Sequence, residues 1–132
     1  MRGNSYRDLE VWKKSMDVVV QCYEATRAFP PSEQYGLTGQ IQRTAVSVPA
    51  NIAEGQARQH RKEFLHHLSI AHGSVAELET HIEIARRIGY IGDGVAHRFF
   101  GQTEEVGRMI NGIRKALRQP RSPQGRSSDG QL

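Results

Sequence analysis

Residues 61–89 read RKEFLHHLSIAHGSVAELETHIEIARRIG. Phe64, Leu68, Ala71, Val75, Leu78, Ile82 and Ala85 recur at steps of three and four, which places them on one stripe of an α-helix. The seam is heptad-like, the pattern of a helix that packs lengthwise against others. Gly89 follows the last apolar positions and supplies the backbone freedom with which helices commonly end. A helix with one apolar stripe must bury it against other elements, so the rest of the chain has to supply partners.

Upstream, Leu37, Ile41, Ala45, Val48 and Ile52 form a second stripe, with Ser32 as the expected N-cap, Glu33 in the first turn and an end before Gly55. Pro49 removes one backbone donor there and crowds the Ala45 carbonyl, which predicts a kink or a loosened turn. Earlier still, a helix is expected from about Asn4 or Ser5 to Ala28, stopped by Phe29-Pro30-Pro31, with Leu9, Trp12, Met16, Val19, Val20 and Tyr23 facing inward. After Gly89, Asp93 is the expected cap of a fourth helix that carries Val95, Phe99, Val106, Ile110, Ile113 and Leu117 and stops before Pro120. Four helices on short connections make sequential neighbours antiparallel. The expected fold is therefore all-α: an antiparallel up-and-down four-helix bundle, one domain over residues 1–118. Residues 119–132, rich in Ser, Gly, Pro, Gln and Arg, read as a flexible, disordered basic tail.

A chain of 132 residues buries one core. Its apolar runs are far shorter than the roughly 20 residues that cross a bilayer, and Met1 to Tyr6 lacks the layout of a signal peptide, so no membrane contact and a cytoplasmic location are expected. The single cysteine, Cys22, agrees with a reducing compartment. A net charge of +4 permits an acidic partner without demanding one.

Three sets of residues stand out as candidate sites. Val11, Val18 and Cys22, with Ser15 and Ala25, fall opposite the expected inward stripe of the first helix, and Ile70, Ile84 and Ile88 lie off the seam of the third. Two-faced helices predict a subunit interface; the alternative is the scatter of exposed aliphatics that every protein carries. Arg43, Ser47, Asn51 and Glu54 make a polar row along the second helix, readable as a register lock between subunits, a ligand surface or a solvated flank, and Pro49 gives a hydrogen-bonded network there a physical motive. Arg108, Arg114, Lys115, Arg118, Arg121 and Arg126 follow one another with no acid between Glu105 and Asp129, a set suited to the phosphates of RNA or DNA. A solvated helix end favouring cations accounts for them equally well, and no aromatic stands among them to stack bases.

Glu63-x-x-His66 resembles half of a di-iron bundle motif, but no second copy occurs, so no metal is expected. Glu63 with His67 and Glu77 with His81 read as pairs one helical turn apart. No Gly-rich phosphate loop, nucleophile elbow or oriented Cys–His pair is identifiable, so no catalytic residue, no cofactor and no enzyme activity are expected.

The stretch QIQRTAVSVPANIAEG at residues 40–55, with YRDLEVWKKS at 6–15, EFLHHLSIAHGSVAELE at 63–79 and IGYIG at 88–92, resembles the four-helix-bundle proteins encoded by intervening sequences of bacterial 23S rRNA genes. The resemblance spans about residues 6–118. It implies an up-and-down bundle that assembles into a homopentamer, and it extends to the accessory variability determinant of diversity-generating retroelements, a basic ring partnering a reverse transcriptase and nucleic acid. The expectation is thus a non-catalytic homo-oligomeric binding or adaptor protein meeting nucleic acid, a nucleoprotein or another protein partner. The alternatives are a purely structural or regulatory oligomer and, less favoured, a metal protein or enzyme.

Overall fold

In the computed structural model, which describes residues 5–119, the stripe of residues 64–85 lies on α3 (Arg61–Arg87). Leu68, Ala71, Val75, Leu78, Ile82 and Ala85 are buried and Phe64 packs half-buried at the rim. The partners are α1 (Glu10–Thr26), α2 (Leu37–Arg58) and α4 (Asp93–Arg118), with 3-10 turns at Tyr6–Asp8 and Pro31–Glu33 and no strand among the described residues.

Side-chain pairings fix the sense of each neighbour. Asn51 meets His67 near the α2–α3 turn while Glu33 meets Tyr90 at the far end, so α2 and α3 run oppositely. Across α3 and α4, Arg86 pairs with Asp93, Glu79 with Thr103 and His72 with Asn111, again in reversed order. Thr26 meets Gln42 just after the α1–α2 connection, and Lys14 on α1 meets Glu105 on α4. The bundle is antiparallel and cyclic, α1 touching α2 and α4; α2 and α3 share the broadest contact, and α1 with α4 the narrowest.

The helix ends differ from their expected places for identifiable reasons. Ser5 does accept a backbone N–H, from Arg7, but it caps the 3-10 turn; extended Leu9 then starts α1 at Glu10. The N-terminus of α2 is held by the Glu33 carboxylate, which accepts from the Leu37 N–H at 3.0 Å and from the Tyr90 hydroxyl at 2.9 Å, so Ser32 is not the cap. Those two donors hold the Glu33 carboxyl below the usual range. Gly55 does not end α2 but is buried inside it, and the helix runs unbroken through Pro49 until Gln59 turns left-handed at φ 61°. At the other end of α3, Gly89 at φ 87° closes the helix: its N–H donates to Arg86 and that of Tyr90 to Ala85, a Schellman arrangement. Asp93 is the first residue of α4, with Gly92 as its N-cap.

The larger correction concerns α1. Its buried residues are Val11, Ser15, Val18, Cys22 and Thr26, whereas Met16, Val20 and Tyr23 are 37%, 53% and 44% exposed. The face expected inside is outside, with Trp12 and Val19 at its edge. Val18 and Ser15 line the centre of the bundle with Ala45, Val48, Val75, Leu78, Thr103 and Val106, a tightly filled space that suits small side chains. The hydroxyls there are satisfied locally, Ser15 donating to the Trp12 carbonyl and Thr26 to that of Cys22, each at 2.9 Å. Burial pushes the Cys22 thiol up to about 12, which makes it inert.

The region read as a flexible tail lies outside the described residues beyond Gln119, and so do Asn4, Arg121 and Arg126.

Candidate functional site

On α4, Arg108, Lys115 and Arg118 are exposed, with no carboxylate at ion-pair distance among the described residues. The first and last lie ten residues apart, about 15 Å along the helix. Arg114 differs: it is half-buried, its Nη1 donates to Asn111 Oδ1 at 3.1 Å, and its Nε is buried without a hydrogen-bond partner. With Oδ1 turned to Arg114, the Asn111 amide nitrogen faces His72 Nε2 at 3.2 Å. Beside this relay a groove opens between α3 and α4, over Ala76 and Gly107, with Arg108, His72 and Asn111 at one end and Glu79 and Glu104 at the other.

The polar row of α2 gains its partners from α3. Ser47 donates to the Thr44 carbonyl, and Asn51 Nδ2 donates to the Ser47 carbonyl at 2.8 Å, which turns Asn51 Oδ1 toward His67 Nδ1 at 3.0 Å. His67 Nε2 stands 3.9 Å from Glu54, whose carboxylate also takes the Arg58 guanidinium at 2.7 Å. Arg58, then His67, holds the Glu54 carboxyl below its usual range. Arg58 reaches Glu63 as well, at 3.5 Å. The Glu63–His67 pair expected from spacing is therefore replaced by two contacts across the hairpin, and Arg43, the fourth member of the row, stays exposed beside Gly39. Glu77 and His81 do approach, at 3.5 Å, but neither ring nitrogen of buried His81 makes a hydrogen bond.

Val11, Val18 and Cys22 cannot meet another subunit in the folded chain, because they are 1%, 5% and 1% exposed within its own core. Ile70 and Ile84 are exposed on α3, as is Ile88. The apolar surface that α1 leaves uncovered is the opposite arc, Met16, Val20 and Tyr23, and Val46 of α2 is exposed too. A second apolar region is the groove between α1 and α4, where Leu9 faces Met109, Ile113 and Leu117. The sequence pointed to the more hydrophobic arc of α1 as the inner one, and the structure reverses this; the groove follows from the narrow contact between the first and last helices. Among the described residues, no three His, Cys, Asp or Glu side chains are placed to hold a metal ion, and no helix is long and apolar enough to cross a membrane.

Residues 7–112 match the family described as 23S rRNA-intervening sequence protein. The chain belongs to that family. Among solved structures it is similar to a protein of unknown function from the S23 ribosomal protein family of Bacteroides thetaiotaomicron VPI-5482, at 25% identity and a TM-score of 0.73, over 80% of this chain and 95% of that one. No curated protein matches.

For this intervening-sequence protein, the NIAEG stretch acquires a structural reading: Asn51 and Glu54 hold His67, Ile52 is fully buried, and Gly55 lets α3 pack with no room for a side chain. The Asn51–Glu54 end of the row thus joins α2 to α3 within one chain.

Proposed function

We propose that this protein is a non-catalytic adaptor of the cytoplasm that assembles with copies of itself and contacts nucleic acid, or a nucleoprotein, through the cations of α4. The observation that carries the reading is the outward apolar arc of α1, Met16, Val20 and Tyr23, which the described chain leaves exposed to solvent. The groove between α1 and α4 is a different surface. A ridge on one copy seated in a groove on the next is a heterologous contact, which closes into a ring when repeated with a suitable rotation. The family resemblance implies five copies. A ring repeats Arg108, Lys115 and Arg118 on every subunit, and such multivalency turns weak phosphate contacts into useful affinity.

Light scattering tests the assembly. Val20→Glu is expected to lower the mass while leaving the helical circular-dichroism signal unchanged, because a carboxylate at this exposed position is tolerated in the protomer and disfavoured at an apolar contact. A monomeric wild type, or a variant of unchanged mass, defeats the proposal.

The nucleic-acid contact is tested by titration against salt. Replacing Arg108, Lys115 and Arg118 with Gln is expected to weaken binding to single-stranded RNA alike for all sequences, and to flatten the slope of log affinity against log salt by about 2. An unchanged slope would show that these cations meet no phosphate.

A further inference from the structure

The groove between α3 and α4 has opposite chemistry at its two ends, and the cations of α4 lie along only one of them. We infer that it holds one nucleotide of a bound single strand and reads its base, with guanine as the preferred occupant. The inference rests on the nucleic-acid reading above and adds base selection to it.

The floor is made by Ala76 and Gly107. Gly107 is buried at its backbone, yet a Cβ built there would meet nothing within 4 Å, so the missing side chain leaves room above the helix where a flat ring can lie. At one end Arg108, His72 and Asn111 border the groove, and Lys115 follows Arg108 two helical turns on along α4. That end suits a phosphate. At the other end Glu79 is held in place: the Thr103 hydroxyl donates to its Oε2 at 2.7 Å, which leaves Oε1 and the second lone pair of Oε2 to accept further donors. Glu104 borders the same end. Two carboxylates repel a phosphate and accept N–H groups, so the ligand's polarity in the groove is fixed. Guanine presents N1–H and the N2 amino group side by side, a pair of donors that an oriented carboxylate accepts together. Uracil offers a single N–H between two carbonyls, which the carboxylates oppose. Arg114 touches the groove only through Asn111, which it orients, and is a positioning residue.

The test compares two fluorescent single-stranded RNA octamers, identical except that two guanines in one are uridines in the other, by anisotropy at low salt with the full-length protein. Wild type is expected to bind the guanine-bearing octamer roughly tenfold more tightly, the size of discrimination one two-donor pair supplies. Glu79→Gln should erase that preference without weakening binding to the uridine octamer. Gly107→Leu should erase it too, by filling the floor; Leu favours helix over Gly, so the variant keeps its fold. Equal wild-type affinity for the two octamers overturns base reading while leaving the phosphate contact standing. A preference that survives both substitutions places the reading elsewhere and also overturns the inference. Absence of binding to either octamer removes the nucleic-acid reading and this one with it.

Discussion

Val18→Glu is expected to abolish cooperative folding of the protomer. The side chain is 5% exposed and shares one space with Ala45, Val48, Val75 and Leu78, and the hydroxyls that line that space, Ser15 and Thr103, already donate to the Trp12 carbonyl and to Glu79. A carboxylate there has neither water nor a counter-charge, and its burial costs about 4 kcal/mol or more, a large part of the stability of a domain of this size. Thermal and urea unfolding followed by circular dichroism would register it as loss of the native transition. Val20→Glu, two residues away on the outward arc, should melt like the wild type. If Val18→Glu folds normally and only loses mass in solution, the orientation of α1 described above is incorrect.

Gly55→Leu is the second substitution with a large expected effect. A Cβ at this position would stand 2.8 Å from His67 Cβ and 3.0 Å from Phe64 Cδ1, so even the first added atom forces α2 and α3 apart. Separation at this point also pulls Asn51 away from His67, which stands 16 residues on in sequence and 3.0 Å away in space. Leu in a helix interior is otherwise favoured over Gly by roughly 1 kcal/mol; the clash outweighs this, and a net loss of about 3 kcal/mol is expected, lowering the melting temperature by roughly 10 °C. The same substitution at Gly73 of α3, where a Cβ meets nothing within 4 Å, is the control and should not destabilise. Equal melting temperatures for the two variants would mean that α2 and α3 are not in close contact at Gly55.

The contrast between α3 and α1 shows what the sequence can reveal. On α3 the large apolar residues occupy one arc and the remaining faces are polar apart from a few isoleucines, so periodicity alone identifies the buried side. On α1 both arcs are apolar, and the one richer in Trp, Met and Tyr looks like the core by any hydrophobicity count. It is not, because the space between the four helices is narrow and already filled by α2, α3 and α4; Val, Ser, Cys and Thr fit it, and the two hydroxyls cost nothing once bonded to the preceding turn. Side-chain size relative to the available gap decides the face, and that gap is a property of all four helices together. The polar row of α2 was legible as a row, but His67 as its partner was not: spacing assigned His67 to Glu63 on its own helix, and only the hairpin brings Asn51 and Glu54 to it. Likewise Arg108, Lys115 and Arg118 were visible as charge, whereas the acid-lined end of the α3–α4 groove depends on the register between two helices. Gly55 misled in the opposite direction, since a glycine that permits close approach looks in sequence like one that ends a helix.

Leu9 and Glu10 border the same groove as Ala116 and Leu117, so the described chain enters and leaves the bundle side by side at one pole. The α2–α3 turn at Gln59 and His60 lies at that pole as well, while the opposite pole carries the Pro31–Glu33 turn and Tyr90. The molecule therefore has a direction that its antiparallel helices conceal. The start of α1 and the end of α4 share a common end, and in any assembly built about an axis parallel to the helices these ends would gather on a single rim. A reporter joined directly to the start of α1 would sit beside one joined directly to the end of α4, leaving the Tyr90 pole clear.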